Sequence, residues 1–416
     1  MKIKLVTFAP HPNFGTCLQS YALNKVLKDM GHDVEFIYNG KENYTLPISY
    51  YLKSIIKYLL PLKFINRIRE KRDEKRGEGY EPAPHIITLP NNYLLYYLSY
   101  IPGFRKVYKM YKCRSLQWKK VYAFTFNDKN YKMKRLYIIK QYKEVVKDAD
   151  LFITGSDQIW NPYCGGFNPM MFLEFAEDKK RISYSSSIAR PHFPKEVEER
   201  AKNDLSKFKH ISVREGSSVD MLNKLLQRND VQLVVDPTYL LSREEWETFG
   251  NRAIIEFRLP EKYIFCYFVG TRFDDYISMV EDVKQKTGIN DVITIDCTGG
   301  SINYGKGRLY KDGGPYEFVY LLSHASFVCM DSFHATVFAI KFGIEFVHIL
   351  KSKENSNTSS QNTRMYDLLK RYNLTHKLYE SESTSWMRPY DHKFVDDIIN
   401  KDIKASMDFL RMEINN

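Results

Sequence analysis

Residues Ser326–Leu350 read SFVCMDSFHATVFAIKFGIEFVHIL, and no other stretch constrains the fold as tightly. An apolar run, Phe327–Cys329, enters the polar loop Met330–His334, after which Val337, Phe338, Ile340 and Phe342 recur near helical spacing until Gly343. A second apolar run, Glu345–Ile349, follows, so the pattern predicts strand, helix and strand within about 24 residues. A unit this short builds parallel sheet. In open parallel sheets ligands gather at the carboxyl ends of strands, where a helix N-terminus offers free N–H groups and partial positive charge. His334 is expected at that point. Asp331 and Ser332 are natural caps for the helix, and Asp331 can instead orient the imidazole. A capping Asp beside a packed His accounts for the same residues.

The alternation recurs along the chain. Lys2–Phe8 predicts a strand, Ala9–Gly15 a turn-rich loop, Thr16–Met30 a helix and Asp33–Tyr38 the next strand. Asn13 and Gly15 stand in that loop, where glycine admits close backbone approach by a ligand; a plain tight turn explains it equally. One glycine is no dinucleotide fingerprint. A helix over Tyr131–Lys147 and a strand over Asp150–Thr154 lead into Gly155-Ser156-Asp157-Gln158-Ile159-Trp160. Tryptophan stacks on sugars and amides pair with their hydroxyls, so Gln158 and Trp160 are candidate sugar contacts, with a capped turn and Trp160 wedged in the core as the alternative. Arg181–Ser187 is a strand ending in three serines.

His210–Val213, another strand, delivers Arg214 to the start of a helix. There a guanidinium grips phosphate or carboxylate bidentately, or else pairs with Glu215. Asp236-Pro237 then marks a turn and domain boundary. Strands at Lys262–Val269 and Asp291–Ile295 flank a helix over Asp274–Lys286, and Cys297–Gly314 reads as loop. The expected architecture is α/β, with two Rossmann-like halves facing across a cleft. Residues 1–237 form the first half, interrupted by an insertion at about 41–130; residues 238–380 form the second, and 381–416 a helical tail.

Charge is unevenly placed. The chain of 416 residues carries a net +12, yet residues 51–140 alone hold 21 Lys or Arg against 6 Asp or Glu. Aromatic and aliphatic residues alternate with these bases, a composition suited to an anionic membrane surface; a solvated helical insertion is the plainer account. No nucleic-acid-binding motif accompanies them, so no nucleic-acid partner is expected. Six scattered cysteines show neither zinc spacing nor a disulfide framework, and the N-terminus is too weakly apolar for a signal peptide. A cytoplasmic protein, peripheral on the inner leaflet at most, is expected.

NFGTCLQSYAL after the first strand, DLFITGSDQIWNP, ISVREGSSVDML, VVDPTYLL, GGPYEFVYLLSHASFVCMDSFHATVFAI and NTRMYDLL occur in an order and spacing that resemble the polysaccharide pyruvyl transferase family. The resemblance covers most of the chain outside the basic insertion and the tail. It implies a fold similar to that of GT-B glycosyltransferases and transfer of a pyruvyl group from phosphoenolpyruvate to a sugar of a surface-polysaccharide repeat unit. The product is a ketal, phosphate is released, and neither metal nor cofactor is implied. His334 matches the family histidine of S-F-H or R-L-H, and Arg214 the arginine of S-V-R-E. Two positions depart: Ser332 stands where some members have Arg, leaving one cation fewer, and Ala335 where members often have Gly. Arg364 or a lysine is the candidate replacement for the missing cation.

On this reading Asn13, Asp157, Gln158 and Trp160 face the acceptor, with Asp157 as base for its hydroxyl. Gly15, Ser156, Ser187 and Ser332 line the substrate site. The acceptor is a sugar or a lipid-linked oligosaccharide. A GT-B-like glycosyltransferase using a nucleotide sugar is the rival, since the architecture serves both.

Overall fold

The computed structural model describes residues 1–8, 13–39, 120–121, 123–127, 131–136, 139–164, 168–270, 273–295, 308–310, 313–351 and 362–415. Most of the basic insertion, and with it the proposed membrane-facing surface, lies outside these residues.

The first half is built on β1 (Lys2–Val6), α1 (Phe14–Asp29), β2 (Asp33–Asn39), β3 (Met133–Leu136), α2 (Ile139–Asp148), β4 (Leu151–Thr154) and β5 (Arg181–Ser183). After them come α3 (Lys195–Leu205), β6 (Ser212–Val213), α4 (Gly216–Leu226) and β7 (Gln232–Leu233). Five strands form a parallel sheet in the order β3-β2-β1-β4-β5. Bridges at Ile182–His210 and Ser186–Val213 continue it in parallel onto β6 and β7. Helices cover both faces, so β4 (LFIT) is buried at every position. A charge in such a strand needs partners. Lys4, 3% exposed in mid-β1, has them in Glu35 at 2.6 Å and Asp148 at 2.9 Å.

The second half follows α5 (Arg243–Gly250), whose capping box pairs Ser242 with Glu245. It comprises β8 (Ile264–Tyr267), α6 (Phe273–Thr287), β9 (Val292–Ile295), β10 (Arg308–Tyr310), α7 (Pro315–Ser323), β11 (Phe327–Met330), α8 (Phe333–Phe342) and β12 (Phe346–His348). Its parallel sheet runs β10-β9-β8-β11-β12, the same winding as the first. Gly343, at φ 67°, ends α8 in the left-handed conformation that glycine adopts freely. Two helices complete the chain, α9 (Thr363–Arg371) and α10 (His392–Asn415). The last is no free appendage: Ser406 Oγ accepts from the Val235 N–H at 2.9 Å, and Glu413 lies 3.1 Å from His210, both in the first half.

Two expectations change. The stretch expected to be one helix from Tyr131 is an edge strand, β3, followed by α2. Pairing with β2 supplies the backbone partners of Met133–Leu136, and Tyr131 packs edge-on against Phe36; four residues carry too little periodicity to foretell this. The glycine-rich loop after Cys297 likewise contains β10. No helix among the described residues is long and apolar enough to cross a membrane.

His348, at the end of β12, is fully buried with Nδ1 2.9 Å from the Thr336 hydroxyl, and burial pushes its pKa down to about 3. The unfolded chain therefore takes up this proton first as pH falls below the ordinary histidine value, and stability is lost from there down to the folded value. We expect about 2 kcal/mol to go between pH 7 and pH 5. Urea unfolding of wild type and His348→Gln at both pH values checks this; equal losses in the two proteins would rule it out.

Candidate active site

In both sheets the winding reverses between the first strand and the fourth, so each has a switch point at its carboxyl edge. The two switch points meet. From the first half come the N-terminus of α1, the loop after β4, Arg214 after β6 and Asp236 after β7; from the second comes the N-terminus of α8 with His334.

Gly15, in the first turn of α1, lies directly against the His334 ring. A Cβ at residue 15 would stand 2.2 Å from His334 Nδ1 and 2.8 Å from its Cβ, so no side chain fits there. The other ring nitrogen, Nε2, lies 3.5 Å from Asp236 Oδ2. That same oxygen accepts from Arg214 Nη1 at 2.8 Å and from the Ser156 hydroxyl at 3.3 Å. Oδ1 of Asp236 is occupied by the Thr238 N–H at 3.1 Å and its hydroxyl at 2.7 Å. Asp236 is thus the carboxylate that faces the imidazole. Asp331 is turned elsewhere: it accepts from the N–H groups of Val269 and Gly270, both at 2.7 Å, and from the Tyr276 hydroxyl at 2.6 Å, closing the loop after β8. Ser332 caps α8, its hydroxyl accepting from the Ala335 N–H.

Arg214 is the hub of a buried ion cluster. Besides Asp236, it lies 3.3 Å from Glu215 and 3.6 Å from Asp157, and its guanidinium stacks 4.2 Å over the Phe333 ring. Asp157 sits at φ 72°, turned so that its carboxylate accepts from the Thr16 hydroxyl at 2.7 Å and from the Gln158 N–H at 2.8 Å. Burial works to raise the Asp157 pKa, but His334, Arg214 and the Thr16 hydrogen bond outweigh it, and the group is held below its ordinary value. Burial is likewise outweighed at Asp236, by His334 and Arg214, leaving it well below the carboxylate range. At Glu215 burial prevails and the pKa rises; Ser187 donates to this carboxyl. The Cys164 thiol is pushed up to about 11 by burial with Asp157 adding to it, so it is no nucleophile at neutral pH.

Arg364, in the first turn of α9, approaches this cluster from a separate element. Its guanidinium carbon is 5.7 Å from the Phe333 ring centroid, it is 5% exposed, and its Nε has no hydrogen-bond partner. His334, Ser332, Asp157, Gln158 and Arg214 each keep between 5% and 9% of their surface in contact with solvent, so the cluster is nearly but not wholly closed off from water. A separate cavity of about 330 Å³ lies beside it, walled largely by Leu233, Val234, Val235, Leu368 and Tyr372. Arg214, Asp236 and Phe333 border that cavity, but His334, Asp157 and Arg364 do not line it. Among the described residues, no group of three or more His, Cys, Asp or Glu is placed to hold a metal ion.

The sequence-derived candidates divide. His334, Arg214, Asp157, Gly15 and Arg364 converge. Ser156 and Ser187 are buried among them and serve the carboxyls of Asp236 and Glu215. Asn13 caps α1 through the Thr16 N–H at 3.3 Å, and Gln158 holds Asn161 at 2.9 Å. Trp160 does not face the cleft: it is fully buried, stacks at 6.2 Å on Phe172, and donates to the Met171 carbonyl at 3.2 Å. The core alternative accounts for it. Asp236, read only as a turn, and the ring of Phe333 were not foreseen as site residues; the position of Asp236 at a strand's carboxyl end was the available signal.

The fold and site define an α/β protein whose two halves meet at one buried cluster of ionisable side chains, Asp157, Arg214, Glu215 and Asp236 from the first and His334 from the second. The chain belongs to the polysaccharide pyruvyl transferase family, whose model matches residues 13–351. No curated protein matches it in sequence. Among solved structures it is similar to a UDP-GlcNAc 2-epimerase from Neisseria meningitidis bound to UDP-GlcNAc (10% identity, covering 100% of both chains, TM-score 0.48). It is also similar to a glycosyltransferase from Streptomyces nogalater (11% identity, covering 98% of this chain and 95% of that one, TM-score 0.42).

Proposed function

We propose that the protein transfers a pyruvyl group from phosphoenolpyruvate to two hydroxyls of a sugar in a surface-polysaccharide repeat unit. The observation that supports this best is the buried pairing of His334 with Asp236 beside two guanidinium groups. A proton donor next to an anion grip is what activation of phosphoenolpyruvate requires.

The enol methylene carbon takes a proton from the His334 imidazolium, and positive charge develops at the neighbouring carbon. One sugar hydroxyl adds there and gives up its proton, which returns to the imidazole. The second hydroxyl adds at the same carbon as the C–O bond to phosphate breaks, and its proton leaves with the phosphate. Atoms and charge balance: one proton goes onto carbon and one comes off each hydroxyl. Since Asp236 faces Nε2, the nitrogen beside Gly15, Nδ1, is the one we assign to the transfer. Positioned acids of this kind contribute roughly 10²–10⁴-fold. Asp157, ionised and tied to Thr16 and Gln158, fits hydrogen bonding to an acceptor hydroxyl better than strong base catalysis. The N-termini of α1 and α8 add partial positive charge for the departing phosphate.

Calorimetric titration with phosphoenolpyruvate, with uridine diphosphate alongside, tests the reading. We expect saturable binding of the first and none of the second; binding of the nucleotide alone would assign the protein to nucleotide-sugar chemistry instead.

A further inference from the structure

We infer that Arg364, not Arg214, is the cation that grips the donor's oxyanion, and that it is held ready for the ligand with no ion pair to any described residue. The inference rests on the pyruvyl-transfer reading and says which residue of that site binds. The two arginines lie near one phenyl ring, that of Phe333, but their circumstances are opposite. Arg214 has Asp236, Glu215 and Asp157 within 3.6 Å, so its charge is already answered from within the protein. Arg364 forms no ion pair with any described residue, leaves Nε without a hydrogen bond, and is 5% exposed.

Burying an ion without a partner costs several kcal/mol, and folded proteins do not keep such a group at random. Burial and the repulsion of Arg214 both act to lower the Arg364 pKa, although Asp157 and Glu215 act in the other direction. A ligand bearing phosphate or carboxylate relieves both penalties at once, through the planar fork that suits these groups. The position also answers the departure at Ser332. That residue caps α8 and brings no charge, so the second cation of the site arrives from α9, a different element, beside the Phe333 ring.

The test compares wild type, Arg364→Met and Arg364→Lys by thermal unfolding and calorimetry, with phosphoenolpyruvate, inorganic phosphate and pyruvate as separate probes. Phosphoenolpyruvate should raise the wild-type Tm and fail to raise that of Arg364→Met, whose affinity falls at least ~30-fold, with partial recovery in Arg364→Lys. The ligand-free Met variant should melt at or above wild type, because an uncompensated buried charge has been removed. Arg364-dependent binding of phosphate or of pyruvate identifies the end of the donor that is held. If the Met variant binds phosphoenolpyruvate as wild type does, the inference fails and the pyruvyl reading stands. A ligand-free Met variant melting well below wild type also overturns it, since the guanidinium would then be a structural element. Arg364-dependent binding of phosphate without phosphoenolpyruvate binding removes the pyruvyl reading and keeps the anion site; no binding of any probe removes both.

Discussion

Replacing His334 with glutamine should lower kcat for pyruvyl transfer about 10²–10⁴-fold, the usual worth of a positioned general acid. Glutamine keeps comparable bulk against Gly15 and can still donate to Asp236, so the site stays assembled while the exchangeable proton is lost. KM for phosphoenolpyruvate should change little, because the anion contacts proposed for this site come from Arg364 and the helix N-termini. Asp236→Asn makes the complementary case: the imidazole survives, its orienting charge does not, and the pH–rate profile should move along with kcat. Steady-state kinetics at saturating donor decide the matter. A glutamine variant within about fivefold of wild type would take the proton transfer away from His334.

The second large effect concerns stability. Arg214→Met should destabilise the fold by about 3–5 kcal/mol, the usual cost of removing one partner from a buried ion cluster. Asp157, Glu215 and Asp236 then lose the cation they share, and all three are nearly inaccessible to water. The pH dependence has a definite sign. In wild type Asp157 and Asp236 have depressed pKa values, so the stability they contribute is present above the ordinary carboxylate range and is lost as pH falls. In the variant burial acts unopposed by Arg214, the folded pKa values rise, and lowering the pH relieves the carboxylates. The gap between variant and wild type should therefore narrow from pH 8 to pH 5 in urea unfolding. A gap that is constant with pH, or below 1 kcal/mol, would show that the cluster is not held by Arg214. This behaviour is opposite to that expected of Arg364→Met, although the two side chains lie on one ring.

Much of this was legible in the sequence because the governing rules are local. Continuous apolar runs such as LFIT and FVCM declare strands covered on both faces, and the residues that follow them, Asp157, Arg214 and His334, fall at the carboxyl edge by topology alone. Gly15 was marked as a place of close approach, although its partner, the His334 ring, lies in the other half of the chain. Where distant groups decide, the sequence was silent. Trp160 has the same composition-level credentials as a sugar platform, but Phe172, Phe208 and the Met171 carbonyl claim it for the core. Asp331 and Asp236 exchanged expected roles because each is a turn-forming aspartate, and only packing shows which one faces the imidazole. That Arg364 forms no ion pair with any described residue could not be seen in one dimension at all.

Asp236 and Gly15 belong to the first half, His334 to the second, and the dyad exists only where the halves touch. The main chain crosses between them after Asp236 and returns through α10, so the halves are tethered at two points. For the pyruvyl transfer proposed above this sets access against chemistry: parting the halves to admit donor would take Asp236 and Gly15 away from the imidazole they face, so proton transfer is expected only with the halves together. By the same proposal, the contact that readies the acid would also limit the access of water to the donor and so disfavour its hydrolysis.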